Sequence, residues 1–89
     1  MSSGTAVAVT FKLYAGLSQY LPPGAVAHAV QLDLPSHPTP NQVIDAHGVP
    51  RRLAHLVLVN GVFVPPGERD SLILQDGDTL AVWPPVAGG

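Results

Sequence analysis

The chain has 89 residues, 46% of them hydrophobic and 11% charged, with a formal net charge of -2. That length suits one compact core, and the apolar share excludes intrinsic disorder. Four Lys and Arg in total, with Arg51-Arg52 the one adjacent basic pair, leave no patch for nucleic acid, and the lack of cysteine excludes disulfides, Cys-ligated clusters and a thiol nucleophile.

The opening Met1-Ser2-Ser3-Gly4-Thr5 carries no positive charge and does not read as a signal peptide. No apolar run approaches the roughly 18 residues that a bilayer requires. The expectation is a cytoplasmic protein without a membrane partner. Absent cysteine also fits a reducing compartment.

Large apolar residues fall at every second position in Val7, Val9, Phe11 and Leu13, which predicts a strand with one buried face. Gly16, Pro22, Pro23 and Gly24 then interrupt regular structure. Alternation resumes through Val26, His28, Val30, Leu32 and Leu34, so the two strands should form an antiparallel pair. Thr39 is the expected N-cap of a helix, with Pro40 at its first position and Gln42 completing a capping box. Val43, Ile44 and His47 give that helix its apolar stripe, and Gly48 and Pro50 end it after about 8–10 residues.

Leu56-Val57-Leu58-Val59 is an unbroken apolar run that suits a strand covered on both faces. Asn60-Gly61 favours a tight turn into a short strand over residues 62–64, which Pro65-Pro66-Gly67 stops. Leu72 to Leu74 is a further short segment, Asp76-Gly77-Asp78 a turn, and Thr79 to Trp83 the last strand. The order is strand, strand, helix, strand, short strand, strand. It predicts an α+β domain over residues 1–84, with one helix packed on one face of a mixed sheet of four to five strands. Residues 85–89 would follow as an extended flexible tail.

Most polar residues have plain structural roles in this reading. His28, His37, His47 and His55 match no compact ligand spacing, so no metal site is expected. Asp76 and Asp78 are turn formers, and Glu68-Arg69-Asp70 reads as a solvated loop. Arg51-Arg52 reads as surface. No Ser, His and Asp grouping suggests nucleophilic catalysis.

The exit from the last strand carries the chemistry. Pro84-Pro85 cannot donate to a sheet ladder and favours an extended path. Val86, Ala87, Gly88 and Gly89 follow, and six residues reach at most about 20 Å. Glycines without Cβ atoms can thread a narrow channel and bring a carboxylate into another protein's active site. Such a carboxylate, with a pKa near ~3.5, is an anion at neutral pH and a poor electrophile until activated. Adenylation followed by attack of a sulfide or persulfide would leave a thiocarboxylate.

Residues Asp76-Gly77-Asp78-Thr79-Leu80-Ala81-Val82-Trp83-Pro84-Pro85-Val86-Ala87-Gly88-Gly89 resemble the C-terminal signature of the MoaD/ThiS sulfur-carrier proteins. Leu58-Val59-Asn60-Gly61 is similar to the family's strand and turn before its short fourth strand. The resemblance implies a ubiquitin-like β-grasp fold and a protein co-substrate without turnover of its own. It implies an E1-like adenylating enzyme of the MoeB/ThiF type that uses ATP and magnesium on Gly89. A sulfurtransferase or persulfide donor and a sulfur-acceptor enzyme complete the partners. Pro84, Pro85, Val86, Ala87 and Gly88 would occupy partner channels, and no cofactor would stay bound to this chain.

Two features depart from the best-known members. Tyr20-Leu21-Pro22-Pro23-Gly24 and Gly48-Val49-Pro50 resemble a branch of ubiquitin-like domains often attached to a Mut7-C type domain, which does not typically finish in Gly-Gly. Trp83 stands where Phe or Tyr is frequent, either as a partner-docking aromatic or as a partly buried edge residue. The Pro-Pro-Val-Ala-Gly-Gly ending leans towards the small subunit of molybdopterin synthase. Two other functions share the same features: a ubiquitin-like modifier forming isopeptide bonds through Gly89, and a non-covalent interaction module with an inert tail.

Overall fold

In the computed structural model, which describes residues 6–85, the first period-two segment becomes β1, Val7–Leu13. Val9, Phe11 and Leu13 are fully buried, so one face of the strand points inward as the alternation requires. A 3-10 turn over Ala15–Tyr20 follows and buries Leu17. The chain returns as β2, Ala29–Leu34, antiparallel to β1 in a register running from Val7 opposite Leu34 to Lys12 opposite Ala29. β2 starts three residues later than the alternation suggests. Ala27 sits in the left-handed region with φ 58, which turns the chain, and Val26 keeps only an isolated bridge to Ala29.

The helix start is built as the sequence indicates. α1 spans Pro40–Ala46, and the Thr39 hydroxyl accepts from the Gln42 backbone N–H at 3.2 Å. The Gln42 side chain accepts in return from the Thr39 N–H at 3.2 Å. Its seven residues fall short of the expected length. Gly48, with φ 76, donates to the Asp45 carbonyl and ends the helix early. His47 closes the last turn: Nδ1–H donates to the Val43 carbonyl at 2.8 Å, and the ring centroid lies 4.9 Å from that of Phe11.

β3, Leu56–Val59, and β4, Val62–Phe63, are joined by Asn60 and Gly61, whose φ values of 51 and 83 suit a type I′ turn. The Asn60 side chain also ties this turn to the next loop, donating to Asp78 Oδ1 at 2.8 Å and accepting from the Thr79 N–H at 2.9 Å. β5, Thr79–Trp83, runs parallel to β1 and antiparallel to β3, which sets the sheet order β2-β1-β5-β3-β4. The result is the expected α+β arrangement, a mixed five-stranded sheet with one main helix on one face. Phe11, Leu13, Ile44, Leu74, Leu80 and Val82 lead the core between them. Each fully buried side chain of this kind stabilises the domain by about 1.5–3 kcal/mol.

Two expectations are corrected. β3 is not covered on both faces: Val57 and Val59 enter the core, but Leu56 is 37% exposed and Leu58 is half-buried. One short helix can cover only one face of a sheet this wide. Nor is Glu68-Arg69-Asp70 a wholly solvated loop, because Arg69 is only 6% exposed. Its Nε–H donates to the Val64 carbonyl at 2.9 Å, Nη1 to Ala54 at 2.8 Å and Nη2 to His55 at 3.2 Å. Irregular backbone on either side of the short β3–β4 hairpin leaves these carbonyls without ladder partners, and the planar guanidinium fork reaches all three. Glu68 and Asp70 remain exposed, with Asp70 accepting from the Asn41 side chain at 3.0 Å. Among the described residues, no helix is long and apolar enough to cross a membrane.

Candidate functional site: the root of the tail and the open sheet face

The last residues of β5 are fixed from both sides. The Val82 carbonyl accepts from the Tyr14 N–H at 3.1 Å, and the Trp83 carbonyl accepts from the His55 N–H at 3.0 Å. Strand pairing then stops, because Pro84 and Pro85 have no N–H to offer. Pro84 is half-buried and Pro85 is exposed, so the chain leaves the sheet at a defined point. Pro84 and Pro85 open the predicted channel segment, while its remaining residues Val86, Ala87 and Gly88, and the predicted acyl site Gly89, lie outside the described residues.

Trp83 packs on the side of the sheet that α1 does not cover. Its ring stacks on Tyr14 with centroids 4.2 Å apart and planes within 1°, while His28 stacks on Tyr14 at 5.3 Å. Trp83 is thus half-buried and still presents surface beside the exit. The partly buried alternative describes its packing, although β5 is the central strand and Trp83 stands at its end, not on a sheet edge.

Arg69 is the supporting residue that the sequence did not reveal. Its Nη2 donates to the His55 carbonyl, and the His55 N–H in turn holds Trp83. The buried guanidinium therefore steadies the lead-in to β3 against which the tail root is pinned. Burial pushes its pKa down, since no carboxylate compensates the loss of water. No motif announces such a role, and only the pattern of unpaired carbonyls explains it.

The other polar candidates stay structural. Asp76 Oδ1 accepts from the Ala8 N–H at 2.8 Å, and Asp78 Oδ2 accepts from the Gln75 N–H at 2.8 Å, both fixing the turn before β5. Arg51 pairs with Asp45 at 2.6 Å on the surface and holds that carboxyl below the usual carboxylate range. Among the described residues, no group of three His, Asp or Glu side chains could hold a metal ion. A cavity of about 220 Å³ between the end of β2 and α1 is lined by apolar and neutral residues such as Leu34, Pro38 and Val43. A second, of about 410 Å³, is lined in part by Ser36, His37 and Asp76. No hydrogen bond joins those three side chains, and Asp76 is already engaged by Ala8. Neither cavity assembles a nucleophile with its base.

What remains is a rigid root and an open face. Across that face Lys12 stands beside Ala29 and Ala81, with Leu58 opposite Ala81 and Phe63 opposite Leu58. Leu56 lies opposite Trp83 in the adjoining row. Among the described residues, these two features are the ones that adjoin the exit of the chain at Pro84.

Comparison with known proteins bears on the fold and the family. No curated protein gives a significant match. The solution structure of the Haloferax volcanii HVO 2177 protein is 22% identical, with a TM-score of 0.74 over 100% of this chain and 92% of that one, and it shares the fold. A family model described as Mut7-C ubiquitin matches residues 6–88. That family is ubiquitin-like, consistent with the MoaD/ThiS resemblance, and it is the branch that the Tyr20–Gly24 and Gly48–Pro50 stretches point to. Matched over nearly its whole length, the chain belongs to the Mut7-C ubiquitin family and has the ubiquitin-like β-grasp fold.

Proposed function

We propose that the chain is a sulfur carrier whose working group is the carboxylate of Gly89. One observation carries the reading: a final strand pinned on both sides up to Trp83 is released by Pro84-Pro85 into a segment of small residues ending in Gly88-Gly89. A fixed root and a slender tip let the body be held by one surface while the tip works in a partner's pocket.

An E1-like enzyme of the MoeB/ThiF type supplies ATP and magnesium. A Gly89 carboxylate oxygen attacks the α-phosphorus, pyrophosphate leaves, and the acyl-adenylate forms. Sulfide, or the outer sulfur of a partner's persulfide, then attacks the acyl carbon and displaces AMP. On the persulfide route, a second thiol reduces the remaining S–S bond and frees the thiocarboxylate. An acceptor enzyme takes that sulfur, and the Pro-Pro-Val-Ala-Gly-Gly ending favours molybdopterin synthase, of which this chain would be the small, non-catalytic subunit. Pro84, Pro85, Val86, Ala87 and Gly88 lie in the partner's channel during these steps, and Trp83 meets the channel's rim.

The body of the domain has no part in the bond changes, so the tip alone should decide competence. Deleting Gly88-Gly89 should abolish ATP–pyrophosphate exchange with the activating enzyme and leave the melting temperature unchanged. Exchange that persists at the full rate in the deletion variant would refute the proposal.

A further inference from the structure

Asn60 is one of two asparagines in the sequence, and Gly61 follows it. An asparagine before glycine is chemically labile, because the next backbone nitrogen can attack the side-chain amide and a glycine puts no Cβ in its way. The fold leaves that nitrogen open. Asn60 and Gly61 are both exposed, and apart from its chain neighbours nothing lies within 4 Å of where a Gly61 side chain would stand. Among the described residues, no hydrogen bond engages the Gly61 N–H. The Gly77 N–H, which follows Asp76 in a similar turn, instead donates to the Ala8 carbonyl at 2.7 Å. The other asparagine, Asn41, is buried in α1 before Gln42, and its amide donates to Asp70 at 3.0 Å.

What restrains Asn60 is the start of β5. Its backbone N–H donates to the Thr79 carbonyl at 2.9 Å, its Nδ2 donates to Asp78 Oδ1 at 2.8 Å, and its Oδ1 accepts from the Thr79 N–H at 2.9 Å. These three bonds hold the side chain on the β5 side, and attack by Gly61 requires it to swing back over its own peptide. We propose that Asn60 is a self-modification site, released for reaction when the turn lets go of β5. The Gly61 nitrogen gives its proton to water and bonds to Asn60 Cγ; the Cγ–Nδ2 bond breaks, and ammonia leaves with a proton. Water then opens the resulting succinimide ring at one carbonyl or the other, giving aspartate or isoaspartate without any oxidant or reductant. Neither product can rebuild the lock. An aspartate at position 60 sets a carboxylate where the amide had donated to Asp78, so two like charges meet at hydrogen-bonding distance. An isoaspartate adds a backbone methylene to a turn whose φ values of 51 and 83 suit the type I′ form. The reaction therefore runs one way, and its product frees the β3–β4 hairpin from the start of β5. Nothing in this chemistry depends on the carrier reading.

The test incubates the full chain in mildly alkaline buffer and follows its intact mass, with peptide mapping to place each change. The mass should gain the difference between OH and NH2, placed on residue 60 and absent from Asn41. Conversion of the folded chain should be slower by about tenfold or more than in urea, where the turn is always open. Asp78→Asn keeps an oxygen for the Gln75 N–H and takes the acceptor away from Asn60, so it should speed conversion of the folded chain several-fold. Asn60→Asp, which copies the product, should lower Tm by about 4–8 °C. Adding Asp78→Asn to it should recover most of that loss, because the new amide at position 78 can donate to the new carboxylate. The proposal is overturned if residue 60 stays unconverted in the folded chain while urea converts it fully, or if the two rates are equal. It is overturned equally if Asp78→Asn leaves the rate unchanged, or if Asn60→Asp melts with the unaltered chain.

Discussion

Replacing Arg69 by methionine keeps an apolar stem and removes every donor of the guanidinium. Three backbone carbonyls, those of Val64, Ala54 and His55, then lose a partner. The first two of these bonds are buried, and an orphaned buried acceptor costs about 1–3 kcal/mol, giving about 2–6 kcal/mol for the two. Part of that is offset, because the charge that burial disfavours is removed as well. A net loss of about 3 kcal/mol is expected, against a total of roughly 4–13 kcal/mol for a domain of this length. In a domain of this size each kcal/mol moves Tm by about 4–8 °C, so the fall should be about 12–24 °C. Thermal and urea unfolding followed by circular dichroism and by Trp83 fluorescence measure it. Arg51→Met serves as the control, since Arg51 is largely solvated and its loss should move Tm far less. A fall of under about 4 °C for Arg69→Met would refute the idea that this side chain holds the hairpin lead-in together.

Thr39→Ala removes half of the capping box and should cost about 1 kcal/mol, seen as a drop of about 4–8 °C in Tm that Thr39→Ser largely restores. Asp45 has its carboxyl pKa lowered by the hydrogen bond and charge of Arg51, so its contribution is present above the ordinary carboxylate range and fades as pH falls through the lowered value. Asp45→Asn should therefore flatten the acid limb of a stability profile below about pH 4, a small effect because both partners are about half exposed. Trp83→Ala removes the stack on Tyr14 and the aromatic at the tail root, and should raise KM in the exchange assay while far-ultraviolet circular dichroism stays native. An unchanged KM would remove Trp83 from the docking surface.

Local chemistry explains which parts of the fold could be read from the sequence. Strand β1, the Thr39/Gln42 cap and the Asn60-Gly61 turn each depend on residues within a few positions of one another, and each appears as expected. Failures came where distant segments decide. The alternation around Val26 and His28 looked like strand, but Ala27 adopts a left-handed turn and delays β2. The apolar run of β3 looked covered on both faces, yet part of its apolar character belongs to an open surface with Phe63 and Trp83. Arg69 read as a loop charge because the carbonyls that hold it come from three other positions in the chain. The stack of Trp83 on Tyr14 joins the last strand to the end of the first, and no spacing rule anticipates it. At the site itself, the stop at Pro84-Pro85 was legible because proline's missing N–H acts wherever it stands, whereas the clamp by Tyr14 and His55 was not.

The most direct measurement is the intact mass of the full chain after incubation with ATP, magnesium, a MoeB/ThiF-type enzyme and a persulfide donor. A sulfur carrier gains the difference between one sulfur and one oxygen, and fragmentation places that gain on Gly89. An unchanged mass with partners shown to be active would contradict the account, and a gain located anywhere but the final residue would do so too.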